Sequence, residues 1–412
     1  MKSCVKNNNK ILVLILKTWN SESNGVFDYG SSSIKEIRVY IAEDTYIIIN
    51  KHNLFMNKDQ HSNINFKDGE IIIFQVNNGN NDTYSLVNPI PKDLKMTDVN
   101  FNYLNNKIWY VIKNEGKFDD MNCNEDYYLN ENDIIKLGRV KYVVKKIYFK
   151  EGDNIIKGAE APDPEAKIEY NICNLNKNKP PTFVFIYEVD NFSNYRDINE
   201  KITKETPKES DICKICHNNL ENDGQEDMFL ISLCKCKDKV HYRCLKDYIN
   251  ENISYENRKE FDDSTLIKNF ECSDCGMQYP LKFKLTGVDK IYNLIDIKEP
   301  TDCTFIILES IDYRQEEKYC KSIHVIKFLK NKRYITIGRD SDNDVVDSDI
   351  SISRQHAALN YIKERGKICL ENRSKKFGTL VLVKEPIKVL DKKIFLQVGK
   401  TSIECNLINK EA

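Results

Sequence analysis

Along residues 11–150 the apolar positions recur at every second residue rather than every third or fourth. Ile37, Val39 and Ile41 alternate with charged or polar neighbours, and the runs 70–76, 107–113 and 140–149 are rich in β-branched and aromatic residues. A period of two sends successive side chains to opposite faces of a strand. Asn, Asp and Gly breaks separate these runs, so the segment reads as an all-β sandwich. A second β-rich segment follows at about 302–410, with candidate strands at 303–310, 322–329, 334–338, 355–363, 367–371, 379–383, 394–398 and 400–407. Between them, 151–209 reads as a linker. Its stretch 158–166 holds two prolines among acidic residues, 201–210 is nearly all charged or hydroxyl-bearing, and 183–189 is one possible strand. Residues 210–285 form a cysteine-rich block, and 286–301 reads as a second, short linker.

The two β-rich segments carry an internal echo. The run from Leu129 to Arg139, LNENDIIKLGR, resembles the run from Leu390 to Lys400, LDKKIFLQVGK, and each leads into a final apolar strand. Both place an apolar strand before a Gly-plus-basic turn, as the closing hairpin of a sandwich does. The first segment is expected to be a degenerate copy of the second.

Composition narrows the classes. Lys plus Arg total 62 and Asp plus Glu 63, a net charge of −1. That balance gives no electrostatic reason to expect a nucleic acid partner. No apolar run approaches the roughly 20 residues that cross a bilayer, and no signal-peptide pattern follows the basic, Asn-rich head. The expectation is a soluble intracellular protein, cytoplasmic or nuclear. In a reducing compartment cysteines serve as metal ligands or buried thiols more often than as disulfides.

Seven of the 14 cysteines fall between Cys213 and Cys275, in the frame C-x2-C-x17-C-x-C-x4-H-x2-C-x27-C-x2-C. The eight positions are Cys213, Cys216, Cys234, Cys236, His241, Cys244, Cys272 and Cys275. Four soft ligands suit one tetrahedral zinc, so eight arranged in pairs imply two zinc ions. Two families share this ligand order. The block resembles the RING-CH zinc finger of E3 ubiquitin ligases in its single-residue gap between Cys234 and Cys236, its run HYRCLKDYI from His241 to Ile249, and its long insertion before Cys272. The four-residue gap from Cys236 to His241 and Phe270, two residues before Cys272, instead match a PHD finger, a histone-tail reader. In such interleaved fingers the first and third pairs share one ion, here Cys213, Cys216, His241 and Cys244. The second and fourth pairs share the other, here Cys234, Cys236, Cys272 and Cys275. His217, adjacent to Cys216, is expected to be solvated rather than a ligand.

The RING-CH resemblance implies ubiquitin transfer without a catalytic residue of the chain's own. The finger docks a ubiquitin-loaded E2 enzyme and positions its thioester. Ile215 and Tyr248 match the family's apolar E2-contact positions; the alternative is that both pack the finger's own core, which for Tyr248 weighs equally. Where such ligases carry a basic residue past the last ligand, Gly276, Met277 and Gln278 stand here.

At the C-terminal end, Ile337-Gly338-Arg339, Asn343-Asp344, the run SISRQHA from Ser351, and Gly378-Thr379 resemble the forkhead-associated (FHA) domain, a β-sandwich whose loops bind phosphothreonine peptides. The resemblance implies a phosphopeptide face of Arg339, Ser353, Arg354 and Lys376, with Gly338, His356 and Gly378 structural. An arginine fork on a phosphate of about −1.5 to −2 charge is chemically apt. Phe377 stands where the family has an Asn that grips the peptide main chain. The whole layout, mainly β with an N-terminal FHA-like sandwich, a two-zinc finger and a C-terminal FHA domain, resembles RING-CH/FHA proteins of AT-rich protist genomes. It implies a phosphorylation-directed E3 ligase with an E2 enzyme and a phosphothreonine-containing protein as partners. A non-enzymatic scaffold or PHD-like reader is the alternative.

Overall fold

The computed structural model describes residues 10–19, 28–29, 34–42, 45–50, 53–57, 70–78, 84–87, 108–112, 127–150, 195–198, 212–218, 229–236, 238–257, 264–268, 271–285, 290–314, 317–384, 386–389 and 393–409. The possible strand at 183–189 and Phe270 lie outside them.

The described chain is mainly β, with one α-helix. Its first seven strands are β1 (Lys10–Trp19), β2 (Ile34–Ile41), β3 (Thr45–Asn50), β4 (Asn53–Asn57), β5 (Glu70–Asn78), β6 (Tyr84–Val87) and β7 (Ile108–Ile112). Then come β8 (Tyr127–Tyr128), β9 (Ile134–Leu137) and β10 (Val140–Tyr148). The cysteine-rich block follows, with β11 (Tyr195–Ile198), β12 (Leu230–Ile231), β13 (Val240–His241), α1 (Tyr242–Asn252), β14 (Ser254–Asn257), β15 (Ser264–Lys268), β16 (Lys282–Leu285) and β17 (Ile291–Asn293). Next are β18 (Thr304–Arg314), β19 (Glu317–Phe328), β20 (Tyr334–Gly338), β21 (Val345–Val346), β22 (Ala357–Ile362), β23 (Lys367–Asn372) and β24 (Thr379–Leu382). The chain closes with β25 (Ile387–Val389), β26 (Ile394–Val398) and β27 (Thr401–Asn409).

Two sandwiches result, but neither closes on strands from its own segment. One 12-stranded sheet runs β14-β15-β19-β18-β10-β9-β24-β7-β26-β27-β1-β2 through both. A five-stranded sheet, β25-β6-β5-β3-β4, covers one end of it, and another, β21-β20-β22-β23-β8, covers the other. The order repeats about the β7–β24 seam: β26, β27, β1 and β2 on one side correspond to β9, β10, β18 and β19 on the other. The covering sheets correspond in strand order as well, except that β21 runs parallel to β20 whereas β4 runs antiparallel to β3. The molecule is therefore an internal pseudo-dimer in which the two repeats trade their closing strands. β27 pairs along β1 from Lys10↔Asn409 to Thr18↔Thr401, and β10 pairs along β18 from Lys141↔Ile311 to Tyr148↔Phe305.

The sequence echo accounts for this trade. The hairpins β9–β10 and β26–β27 present the same apolar alternation about a left-handed glycine turn, Gly138 (φ 62) and Gly399 (φ 51), so each can fill the other's place. Each core is mixed as a result. Leu12, Leu14, Ile47, Val76 and Leu86 pack with Val389, Leu396 and Ile403, while Leu137, Tyr142 and Val144 pack with Ile306, Ile335, Leu359 and Leu370. The division expected at residue 150 is thus crossed in both directions by hydrogen-bonded strands.

The finger block also reaches beyond its expected limits. β11, within the stretch read as linker, pairs in parallel with β16. β17 lies in the second supposed linker and pairs with β16, and Leu294 and Ile295 beyond it are buried in the finger's core. That core continues into Phe305, Ile307, Ile323 and Val325 on the outer face of β18 and β19. The hairpin β14–β15 extends the large sheet along β19, from Ser264↔Ile326 to Ile267↔Ile323. An edge strand with open N–H and C=O groups invites such a cover.

Candidate metal centres and phosphopeptide face

Two turns of the same build present the outer ligand pairs. In the first, the Cys213 N–H donates to the Asn218 carbonyl (3.0 Å) and the His217 N–H to the Cys213 carbonyl (2.8 Å). In the second, the Cys272 N–H donates to the Met277 carbonyl (2.8 Å) and the Gly276 N–H to the Cys272 carbonyl (2.9 Å). Such turns aim two thiols at one point. His241 precedes α1 and Cys244 lies in its first turn, where the helix's positive end favours a thiolate.

The fold brings the eight residues into two groups: Cys213, Cys216, His241 and Cys244, and Cys234, Cys236, Cys272 and Cys275. In each group the donor atoms all lie within 4.8 Å of one another. His241 Nδ1 is 3.3 Å from Cys216 Sγ and 3.8 Å from Cys244 Sγ, and Cys236 Sγ is 3.9 Å from Cys272 Sγ. These separations suit the edges of a tetrahedron around one soft dication. His217 belongs to neither group and is exposed. The crowded thiols resist shared ionisation. Hydrogen bonding to Cys275 and burial push the Cys236 thiol up to about 12, and burial together with Cys216 pushes Cys244 up to about 12. Burial also opposes ionisation of Cys272, yet the Cys275 N–H, the Tyr279 hydroxyl and the Asp274 N–H bring it down to about 6. A dication held by these groups would resolve that conflict by neutralising the thiolates.

Lys214 ties the two turns together, 2.7 Å from Asp238 and 2.6 Å from Asp274. On α1, Leu245 and Ile249 are buried, whereas Tyr248 on the outer side is 40% exposed. Ile215 is 37% exposed and Ile212 is 50% exposed. Tyr248 therefore does not share the buried face of Leu245 and Ile249.

The second face forms where β20 ends. Gly338 has no room for a side chain, because a β-carbon would lie 2.2 Å from the Arg354 carbonyl oxygen. The Arg339 N–H donates to the Ser353 carbonyl (3.0 Å), and Arg339 Nε donates to the Ile352 carbonyl (3.3 Å), leaving an exposed guanidinium. Asn343 bridges the Asp340 and Arg354 carbonyls at 2.8 and 2.7 Å. The Ser353 and Ser374 hydroxyls are 2.7 Å apart. His356 is fully buried; its Nδ1 accepts from the Ser353 N–H (2.9 Å) and its Nε2 meets the Gly378 carbonyl at 3.0 Å. Burial pushes its pKa down to about 4, so the ring is neutral, and the carbonyl assigns the proton to Nε2. Arg354 is exposed. Lys376 is exposed too, but it pairs with Asp28 at 3.3 Å and lies over the Phe377 ring, 5.2 Å from its centroid.

Residues from the first repeat support this face. The Arg139 N–H donates to Ser351 Oγ (2.8 Å) and its guanidinium reaches both Asp349 oxygens (3.2 and 3.3 Å). A β-carbon on Gly138 would lie 2.2 Å from the Ser351 carbonyl oxygen, and the Tyr142 hydroxyl donates to Asp347 at 2.6 Å. Sequence reasoning singled out none of these contacts, because their partners lie more than 200 positions away. The one available signal was the Gly-plus-basic turn of the internal echo.

Residues 335–401 match the family model of the FHA domain. This chain carries an FHA domain. The match runs from β20 to the start of β27, and so covers strands of both sandwiches. The FHA domain is a module for recognising phosphothreonine peptides, and the matched range includes Gly338, Arg339, Ser353 and His356. Neither the curated proteins nor the solved structures contain a match. Among the described residues, no helix is long and apolar enough to cross a membrane.

Proposed function

We propose that this protein reads phosphothreonine peptides with the loops around Arg339 and Ser353, and presents a two-zinc finger that docks a ubiquitin-loaded E2 enzyme. The FHA match carries the first half. The exposed Arg339 guanidinium, held at Nε by the Ile352 carbonyl, can fork onto a phosphate through its terminal nitrogens, and the Ser353 hydroxyl can bind a second oxygen. Each charge-assisted bond of this kind contributes roughly 1.5–3 kcal/mol. Arg354 adds positive charge at the rim. Two zinc ions are the cofactors in this reading, held by the two four-residue groups, and the finger supplies positioning rather than a nucleophile. Exposed Ile215 and Tyr248, with Ile212 nearby, form the apolar contact for E2 on this reading, which makes the protein an E3 ubiquitin ligase without a catalytic side chain of its own.

A second reading, a zinc-stabilised phosphopeptide scaffold, is favoured by two residues. Phe377 lacks the amide that would hold a peptide main chain, and Gly276 follows the last metal ligand in place of a basic residue. Titrating phosphothreonine peptides against wild type and Arg339→Ala tests the first half; equal binding by both rejects phosphate recognition. Incubation with E1, a panel of E2 enzymes, ubiquitin and ATP tests the second. Conjugates that disappear with Ile215→Ala support the ligase, and silence across the panel leaves the scaffold.

A further inference from the structure

The loop bearing Lys376 is gripped from outside its own sandwich. Asp28 and Tyr29, between β1 and β2 of the first repeat, lie against it. The Tyr29 N–H donates to the Lys376 carbonyl (3.0 Å), and the Tyr29 hydroxyl donates to Gln397 Oε1 (2.7 Å). The Tyr29 ring covers Gly378 so closely that a β-carbon there would lie 2.9 Å from its edge. These contacts hold the Asp28 carboxylate 3.3 Å from Lys376 Nζ, with the Asp28 side chain 15% exposed and that of Lys376 60% exposed.

This pair borders the phosphate site. Ser374 meets the Ser353 hydroxyl at 2.7 Å and accepts from the Phe377 N–H at 3.0 Å. Lys376 follows Ser374 by two residues, a span of at most about 7 Å, within the sweep of a lysine side chain. With Phe377 unable to hold a peptide main chain, the fixed charges beside it carry more of the discrimination.

We propose that Asp28 makes this site selective for phosphothreonine peptides with a basic residue flanking the phosphothreonine. The inference rests on the phosphothreonine reading of Arg339 and Ser353. An arriving phosphate draws Lys376 away from Asp28. A lysine or arginine of the peptide then takes its place beside the largely buried carboxylate. An acidic flanking residue meets Asp28 with repulsion and is rejected.

The test uses the full-length, zinc-loaded chain. Phosphothreonine peptides carry Arg, Ala or Glu at each of the three positions on either side, and binding is read by fluorescence anisotropy. Wild type should bind the best Arg-flanked peptide about tenfold more tightly than its Glu counterpart, the value of one modest charge-assisted bond. Asp28→Asn, which keeps a hydrogen bond to Lys376, should reduce that ratio to about twofold or less, and Asp28→Glu should retain it. Arg339→Ala should abolish binding of every peptide. Arg339-dependent binding with a flat flanking preference, or an unchanged ratio in a folded Asp28→Asn protein, overturns the proposal alone. Absence of Arg339-dependent binding in wild type and Asp28→Asn overturns the phosphothreonine reading and the proposal with it.

Discussion

His217 and Gly276 occupy the same step of the two ligand turns, one residue past the second thiol, and both adopt left-handed backbone, with φ of 59° and 65°. Only the glycine does so without steric cost. His217→Gly should raise the protein's stability by about 1 kcal/mol, read as a higher Tm at unchanged zinc content. Buried His356 makes stability depend on pH. Its folded pKa of about 4 lies below the ordinary histidine value of 6.5, so between those values the unfolded chain binds the extra proton. Stability is therefore complete above about pH 6.5 and falls with pH through this window, by roughly 2 kcal/mol at pH 5. Urea titrations at pH 7.5 and 5 measure it, and His356→Gln should flatten the difference. At this scale the motifs singled out Gly338 and His356, which the structure shows without room for a side chain and fully buried, respectively. Asp28, Arg139 and Tyr142 were not legible in the sequence, because their importance comes from contacts between repeats rather than from their neighbours in the chain.

Among the elements, the cysteine-rich block leans on its neighbour. Its aromatic cluster, with Tyr242 stacked on Phe229 at 5.4 Å and Phe283 on Tyr292 at 5.4 Å, continues into the outer face of β18 and β19. Zinc removal should therefore loosen more than the ligand turns. With excess chelator, amide exchange should rise along α1 and also in β15 and β19. Exchange confined to the ligand turns would show the two parts to be independent. Cys272→Ser should halve the bound zinc while leaving the Cys213 group filled, by metal analysis. The ligand spacing anticipated the two four-residue groups, but not the extent of the block around them. Charged residues across 286–301 masked buried Leu294 and Ile295, and β14 lacks the apolar alternation that marks a strand, since its partner β15 and the edge of β19 determine it.

For the molecule as a whole, traded closing strands change what counts as a unit. Residues 302–410 contain the family match yet lack β8–β10, which pair with β23 and β18. They also retain β25–β27, whose partners β6 and β1 belong to the first repeat. Expressed alone, this segment should show no cooperative melting transition and should not bind phosphothreonine peptides, whereas the full chain should melt cooperatively. A folded, binding-competent 302–410 fragment would contradict the exchange. The echo between 129–139 and 390–400 made the duplication readable, but local sequence could not say which sandwich each hairpin joins, since both offer the same apolar groove.

The seam at β7–β24 has a practical corollary. A polypeptide divided within residues 151–194 leaves every strand of the two sandwiches on one fragment or the other, with each fragment holding what its counterpart lacks. Two such pieces, produced together, should find each other and reconstitute the whole. The broken backbone would then behave as an obligate heterodimer, its assembly reporting on whether both halves are present.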